Sequence, residues 1–297
     1  MALLDSISNI WRDPPPAMAF ELSEAGVASV RIGARTERAF RPLKPGTLAV
    51  SPLRDNIMDA DELAQAVRES ASPAPKAKRR DVALIIPDYC TRISVLDFDD
   101  FPSDAKEQAS LVRFRMKKAV PYDVDSAALS YWPQSTGEKR FDVVVVVAPI
   151  EIIARYEAPF RAAGMTPGLV VPSSIAALHL LEPSPLMVVA KLTGSVLTVM
   201  VTDKGRLRLV RCLELTESSV AEVAADLYPT FVFVEDNLGA KAEKLELCGF
   251  GGMLEEARLR FAEELGIEVE PVRSPLGVPG ENDAGLLGYL RSVAVNH

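Results

Sequence analysis

Two strand pairs, one at the start of each half of the chain, limit most strongly what the protein can fold into. Apolar runs at residues 18–22 and 27–32 flank a polar turn that contains Gly26, and similar runs at residues 187–192 and 196–201 flank a second short turn. Glycine permits a tight turn between two apolar strands, so each pattern predicts a β-hairpin. Segments with helical patterns follow both hairpins. We interpret the chain as two α/β halves related by a weak internal duplication.

The charge balance excludes one large class of partners. The 297 residues include 33 Lys and Arg against 41 Asp and Glu, which gives a formal net charge of −8. Nucleic-acid binding depends on neutralising phosphates with basic residues, so this composition argues against it. We expect proteins or small molecules as partners.

Cysteine usage and hydropathy indicate the compartment. Cys90, Cys212 and Cys248 are far apart and form no CxxC pair, which predicts neither a disulfide framework nor a zinc site. The longest apolar run, residues 143–150, is well short of the ~20 residues that a membrane helix needs. The N-terminus lacks the features of a secretion signal. We therefore expect a cytoplasmic protein.

Residues 1–16 form a separate N-terminal amphipathic segment that ends in three prolines. Its polar residues, Arg12 against Asp5 and Asp13, lack the basic excess of a membrane-surface helix. We expect it to dock on the protein itself or on a partner. Its apolar residues recur at helical spacing: Leu3, Leu4, Ile7, Ile10 and Trp11.

Five segments resemble the PilM-type proteins of type IV pilus assembly, which are members of the actin-like ATPase superfamily. Their order and spacing along the chain carry the resemblance. The most specific is LVRFRMKKAVPYDVDSAALSYW at residues 111–132, similar to a family helix that ends in a Pro-aromatic pair before a strand. The others are LKPGTLAVSPLRDNIMDADEL at 43–63, VVVVVAPIEIIARYEAPFRAAGMTPGLVVPSSIAALHLL at 143–181, LCGFGG at 247–252 and GLLGYLRSVAV at 285–295. The resemblance covers the chain from about residue 17 onward.

The resemblance implies an α/β, actin-like (ASKHA) two-lobed fold with an inserted SHS2-type module. Residues 17–81 would form the first part of lobe 1, and residues 82–165 the inserted module. Residues 166–185 would return to lobe 1, and residues 186–297 would form lobe 2. The strand and helix patterns read from the residues agree with this alternation.

In the actin-like fold the first hairpin turn of each lobe wraps the phosphates of a nucleotide, with an Asp-x-Gly pattern. The corresponding tripeptides here, Glu21-Leu22-Ser23 and Lys191-Leu192-Thr193, lack both glycines, and the second acid is a lysine. Phosphoryl transfer depends on metal and donor positioning, so we predict no hydrolysis, no catalytic residue and no metal ligand. Binding of ATP and Mg²⁺ stays open. Its candidate contacts are Glu21, Gly26, Thr193, Gly194, Ser195, Gly249, Gly251 and Gly252.

The resemblance also implies a role and a partner. It predicts a cytoplasmic scaffold, peripheral at the inner membrane, that docks the short cytoplasmic tail of a single-pass membrane protein between lobe 1 and the inserted module. A working actin-like ATPase and a scaffold of another secretion machine are the alternatives, and self-association stays open. The predicted tail contacts are Arg113, Arg115, Lys117, Pro121 and Tyr122. The alternative for these five is that they pack the module or face water.

Overall fold

The computed structural model describes residues 15–71, 80–136 and 140–295. The predicted N-terminal amphipathic segment, apart from Pro15 and Pro16, lies outside these ranges.

Lobe 1 is built on a five-stranded sheet of order β3-β2-β1-β4-β8, in which β1, β2 and β3 are antiparallel and β1, β4 and β8 are parallel. One face packs against α1 and α3, and the other against α4 and α7. The strands are β1 (Met18–Ser23), β2 (Gly26–Arg31), β3 (Glu37–Pro42), β4 (Asp81–Ile86) and β8 (Thr166–Pro172). The helices are α1 (Ala60–Ser70), α3 (Ile150–Ala162), α4 (Ser173–Ala177) and α7 (Ala284–Val295).

Lobe 2 repeats this arrangement, with three antiparallel strands followed by two parallel ones in the order β11-β10-β9-β12-β13. Helices α5 and α6 pack with the sheet in one apolar core. The elements are β9 (Met187–Thr193), β10 (Val196–Asp203), β11 (Arg206–Glu214), α5 (Val220–Leu238), β12 (Lys244–Cys248), α6 (Leu254–Leu265) and β13 (Glu268–Pro271). After β13 the chain returns to lobe 1, where α7 packs in the core.

A separate three-stranded sheet of order β5-β7-β6 lies between β4 and α3 in the sequence. It consists of β5 (Arg92–Phe98), β6 (Ala127–Ser135) and β7 (Phe141–Pro149), and one face carries α2 (Ala105–Met116). Successive side chains of a strand point to opposite faces. In β7, Val143, Val145 and Val147 therefore pack with α2, while Val144 and Val146 pack into a core that includes residues of both lobes. We refer to these three strands and α2 as the module.

The predicted limits of the inserted module, residues 82 and 165, differ from those of the structure at both ends. Strand β4 pairs with β1 in the lobe 1 sheet. Helix α3 buries Tyr156 and Phe160 in the lobe 1 core. The module sheet therefore spans residues 92–149 only, because parallel pairing and apolar burial assign both flanking elements to lobe 1.

Helices α7 and α4 approach so closely that a β-carbon at Gly288 would overlap the carbonyl oxygen of Ala176. We expect Gly288→Ala to lower the free energy of unfolding by about 1–3 kcal/mol, since overpacking forces the backbone to shift. Urea unfolding measures this change. Gly252→Ala is the matched control, because a β-carbon there meets no atom within 4 Å. Equal stabilities of the two variants would contradict the close packing.

Candidate functional site

The carboxyl ends of parallel strands from both lobes meet at one cleft. Glu21 lies near the end of β1, Asp88 follows β4, and Ser173 follows β8. Lys191 in β9 faces them from lobe 2. The crevice beyond the carboxyl ends of parallel strands is where open α/β sheets bind ligands. This interlobe cleft is therefore the first candidate site.

A buried ion pair joins the two sides of the cleft. The ammonium of Lys191 lies 3.0 Å from Oδ2 of Asp88, and the two side chains are 2% and 1% exposed. Lys191 also donates to the hydroxyl of Thr193 at 2.9 Å. Asp88 accepts from the hydroxyl of Thr198 at 3.1 Å and from the backbone N–H of Ser174 at 2.7 Å. Each charge thus has its counter-charge and further polar partners, as buried charges require.

Glu21 fills a position where an anion would bind. Its carboxylate accepts from the backbone N–H groups of Gly285 and Leu286 at the start of α7, and from the hydroxyl of Ser173. A helix N-terminus attracts negative charge, and here the chain supplies that charge itself. Burial raises the pKa of Glu21 to about 7, although Lys191 and the hydrogen bonds lower it. Burial lowers the pKa of Lys191, but Asp88 and Glu21 outweigh burial and raise it above its usual value.

The space left in the cleft is small. The cavity lined by Glu21, Asp88, Lys191, Thr193 and Gly194 measures about 40 Å³. Pockets for nucleotide-sized ligands measure about 300–1,000 Å³. In this structure the cleft is too narrow for a nucleoside triphosphate.

The hairpin residues predicted as nucleotide contacts are mostly engaged within the chain. The N–H of Gly26 donates to the side chain of Ser23, and a β-carbon at Gly26 would overlap β3. The hydroxyl of Thr193 accepts from Lys191. The carbonyl of Ser195 accepts from the N–H of Leu215. Gly194, in the left-handed region at φ 57°, forms the second turn at the cavity wall.

The predicted adenosine-side turn packs against its own lobe. Gly249 has a φ of 77°, and a β-carbon there would overlap the carbonyl of Leu192. The carboxylate of Glu281 lies over Gly251, while Gly252 is exposed. The glycines at 249 and 251 are therefore explained by turn geometry and close packing.

A second site is the groove between lobe 1 and the module. Its volume is about 120 Å³, and its walls come from β6 and β7 on one side and β8 on the other. Helices α4 and α7 form its floor. Burial and Arg291 lower the pKa of His179 to about 4, so its imidazole is neutral at pH 7. The lining residues are Ser130, Trp132, Val146, Leu169, Val170, Val171, Pro172, Ile175, Ala176, His179, Tyr289 and Ser292. We call this site the docking groove.

The five predicted tail contacts do not line the docking groove. Helix α2 and the segment after it lie on the opposite face of the module sheet. Arg113 donates to the carbonyl of Val124, and Lys117 pairs with Asp125.

The other predicted contacts are also committed within the module or face water. Arg115 bonds to Asp97 and stacks over Phe98 at 5.0 Å from the ring centroid. Tyr122 donates to the carbonyl of Val147, and burial raises its pKa to about 12. Pro121 is exposed. The alternative interpretation of these five residues therefore fits the structure.

Comparison with solved structures identifies the fold. A chain of the "PilM-PilN type IV pilus biogenesis complex" is 19% identical and superposes with a TM-score of 0.79, over 95% of this chain and 99% of that one. A Bacteroides thetaiotaomicron protein "with actin-like ATPase fold and unknown function" is 12% identical, with a TM-score of 0.57 over 92% and 94% of the two chains. This chain has the actin-like ATPase fold. The fold predicted from the sequence is thus confirmed.

A third similar structure is more distant. It is the cytoplasmic domain of EpsL, "an inner membrane component of the type II secretion system of Vibrio cholerae", 14% identical with a TM-score of 0.50 over 77% and 80% of the two chains. No protein-family model and no curated protein matches the sequence.

The described residues contain neither a membrane-spanning helix nor a metal-binding cluster. None of the helices in these ranges combines the length and apolar composition needed to cross a membrane. The same ranges contain no group of three or more His, Cys, Asp or Glu residues that could hold a metal ion.

Removal of Lys191 should leave Asp88 as an uncompensated buried charge. We expect Lys191→Met to lower the free energy of unfolding by about 3–5 kcal/mol, measured by urea denaturation. The double variant Lys191→Met, Asp88→Asn should recover part of that loss, because it removes the stranded charge. A loss below about 1 kcal/mol in the single variant, the size of an exposed ion pair, would contradict the buried geometry.

The pKa of Glu21 predicts a dependence of stability on pH. Between its unperturbed value of 4.5 and about 7, the folded state holds one proton more than the unfolded state. Stability therefore falls as pH rises through this window. Relative to Glu21→Gln, we expect the wild type to lose about 2–3 kcal/mol of unfolding free energy from pH 4.5 to pH 7.5.

Urea unfolding at a series of pH values measures this loss. The control is Glu24→Gln, an exposed position at the same cavity. It should keep the wild-type slope. If Glu21→Gln also keeps that slope, Glu21 is not the group that titrates.

Proposed function

We propose that the protein is a cytoplasmic scaffold of a type IV pilus or related secretion assembly. In this proposal it binds the short cytoplasmic tail of a single-pass inner-membrane protein in the docking groove. This partner would hold the protein at the inner membrane. The docking groove is the observation that carries the proposal.

The walls of the groove suit an extended peptide. Strand β8 is the outermost strand of the lobe 1 sheet, and among the described residues only β4 pairs with it. Its free backbone edge can pair with an added strand, and flanking pockets can then accept alternate side chains of that strand. Leu169 and Val171 of β8 are half-buried and line the groove, so their apolar surface would be covered by such a segment.

The chemistry of the groove suits a short apolar segment with a few polar groups. Trp132 offers a large aromatic surface opposite β8. Ser130 and the neutral His179 add hydrogen-bonding groups to a mainly apolar lining. Apolar walls with a few placed polar groups are the usual composition of a specific binding site.

The similar structures support the same class of role. One is named as a complex of PilM with PilN, and another as part of an inner-membrane component of a secretion system. In both cases the similarity to this chain is a similarity of fold. These similarities favour an assembly component over a metabolic enzyme, and the groove gives that component a place to hold its partner.

A peptide-binding measurement tests the proposal. The probe is a labelled tail peptide from any single-pass membrane protein that proves to be encoded beside this one, titrated by fluorescence anisotropy. We expect Trp132→Ala and Leu169→Asp each to weaken binding by about tenfold or more, as loss of a buried anchor does.

Phe114→Ala is the matched aromatic control, since Phe114 is 65% exposed on α2, away from the groove. It should bind like the wild type. Loss of binding in Arg115→Ala with full binding in Trp132→Ala would move the contact to α2 and contradict the proposed groove.

We further infer that the interlobe cleft is degenerate and that the protein is a pseudo-ATPase. The supporting observations are the Lys191–Asp88 ion pair, the carboxylate of Glu21 at the α7 N-terminus and the cavity of about 40 Å³. The residues present do not fit a Mg-nucleotide. Lys191 is the side chain that could pair with a phosphate, and its charge is already neutralised by Asp88. No observation favours the alternative, a working ATPase.

Calorimetric titration of Mg-ATP into the wild-type protein tests this inference, with a phosphate-release assay beside it. We expect no binding heat and no release above background. Phosphate release that Glu21→Gln abolishes would show a working ATPase. Binding heat without release would show that the lobes open to admit nucleotide, and it would overturn the degenerate cleft.

A further inference from the structure

Strand β3 carries an unusual concentration of positive charge for this acidic chain. Residues 31–41 contain four arginines and one acid, whereas the whole chain has a formal net charge of −8. Arg35, Arg38 and Arg41 are exposed, and Arg31 is partly exposed. With the other residues that the structure describes, these four arginines form no ion pair. We call Arg31, Arg35, Arg38 and Arg41, together with β3, the basic edge.

Strand β3 is also a free edge. It is the outermost strand of the lobe 1 sheet, on the side opposite to β8, and within the described ranges it pairs only with β2. All six of its residues are exposed. A strand with one unpaired row of N–H and C=O groups is a template for another strand.

The arginines lie on both faces of this edge. Arg38 and Phe40 are two residues apart and share one face, while Arg41 points to the other, because side chains alternate along a strand. In the pairing with β2, Phe40 lies opposite Ala28 and Arg38 opposite Val30. A strand added beside β3 would thus find a guanidinium on each of its own faces.

One of these faces opens onto a broad groove whose lining is both polar and apolar. Its volume is about 760 Å³, and it separates β3 from the segment before α7. Phe40, Leu276 and Val278 line it and are 42%, 41% and 53% exposed. This groove is distinct from the docking groove, which lies at the β8 end of the same sheet.

We propose that the basic edge binds an acidic, extended segment of a partner protein, which adds to the lobe 1 sheet as a strand beside β3. Backbone hydrogen bonds to the free edge would supply affinity. Acidic side chains would pair with Arg38 and Arg41, and an apolar side chain between them would contact Phe40, Leu276 and Val278.

The geometry favours a strand over an anionic lipid surface. A membrane contacts one face of a protein, where a single set of side chains can reach its headgroups. The arginines of the basic edge point to both faces, and Phe40, Leu276 and Val278 line a groove beside it. Charged edge residues also protect sheets against aggregation, but that role requires no exposed apolar side chains such as Phe40, Leu276 and Val278 beside them.

Fluorescence anisotropy with a labelled synthetic peptide tests the proposal on the full chain. The probe alternates Glu with Val over about six to eight residues, the length of an ordinary strand. We expect the double variant Arg38→Glu, Arg41→Glu to weaken binding by about tenfold or more, because like charges would then face each other. Arg258→Glu, Arg260→Glu on α6 carries the same charge change and should bind like the wild type.

A second probe separates strand addition from simple charge attraction. The same peptide with two backbone nitrogens methylated keeps its charge and loses donors, and we expect about tenfold weaker binding. Equal binding of the two peptides would overturn the proposal, and so would no binding of the unmethylated one.

Two further measurements identify the competing occupants. Phosphatidylglycerol vesicles that bind the wild type but not the Arg38, Arg41 variant, in the absence of peptide binding, would assign the basic edge to lipid. A dimer that this variant abolishes would assign it to a second copy of the chain. Either result would overturn the proposed acidic strand.

Discussion

The buried ion pair between Lys191 and Asp88 is the polar contact that joins the two lobes at the cleft. The pair comes from different lobes, and both side chains are almost fully shielded from water. Replacing a buried ion pair with apolar groups is often neutral, so its contribution to net stability is small. Its effect is on geometry. Thr193, Thr198 and the N–H of Ser174 fix both charges, and any opening of the cleft would separate them in a medium of low dielectric.

Glu21 makes a further buried contact, within lobe 1. Its carboxylate joins the end of β1 to the first turn of α7, so the last helix of the chain is held by the first strand. The module forms a further contact with lobe 2. Gln134 of β6 exchanges two hydrogen bonds with the backbone of Leu207 in lobe 2, each 2.9 Å long. The lobes are thus connected both at the cleft floor and through the module.

The ion pair and the Gln134 hydrogen bonds hold the two lobes against each other in this structure. A scaffold that presents a peptide groove needs its walls fixed relative to one another. The walls of the docking groove are β8 of lobe 1 and β6 and β7 of the module. Because the module also contacts lobe 2, the closed cleft and the shape of the groove are mechanically related.

The parts of the fold that follow local rules could be predicted from the sequence. Both hairpins, the valine-rich strand and the closing helix have apolar patterns of the right period and length. Strand β3 could not be predicted, because all of its residues are exposed and its pattern contains no buried alternation. The limits of the module were wrong because β4 is held by long-range parallel pairing, which no local pattern shows.

The candidate site shows the same division. Glu21 and Lys191 were identifiable from their place in the hairpins. Asp88 was missed, since it lies 103 residues from Lys191 in the sequence, and its position directly after a buried strand was its only signal. The predicted tail contacts lie on the face of the module opposite to the docking groove, which the sequence could not show. A continuous run of valines shows that both faces of β7 are covered, but not which face carries α2.

The crossing of α7 from lobe 2 to lobe 1 has a consequence for synthesis. Ribosomes synthesise a chain from its N-terminus. A domain formed by one continuous stretch of sequence can fold as soon as that stretch has emerged. Lobe 1 is not complete in that sense, because α7 supplies part of its core and the N–H donors for Glu21. Until α7 has been synthesised, this face of the lobe 1 sheet lacks one of the two helices that cover it.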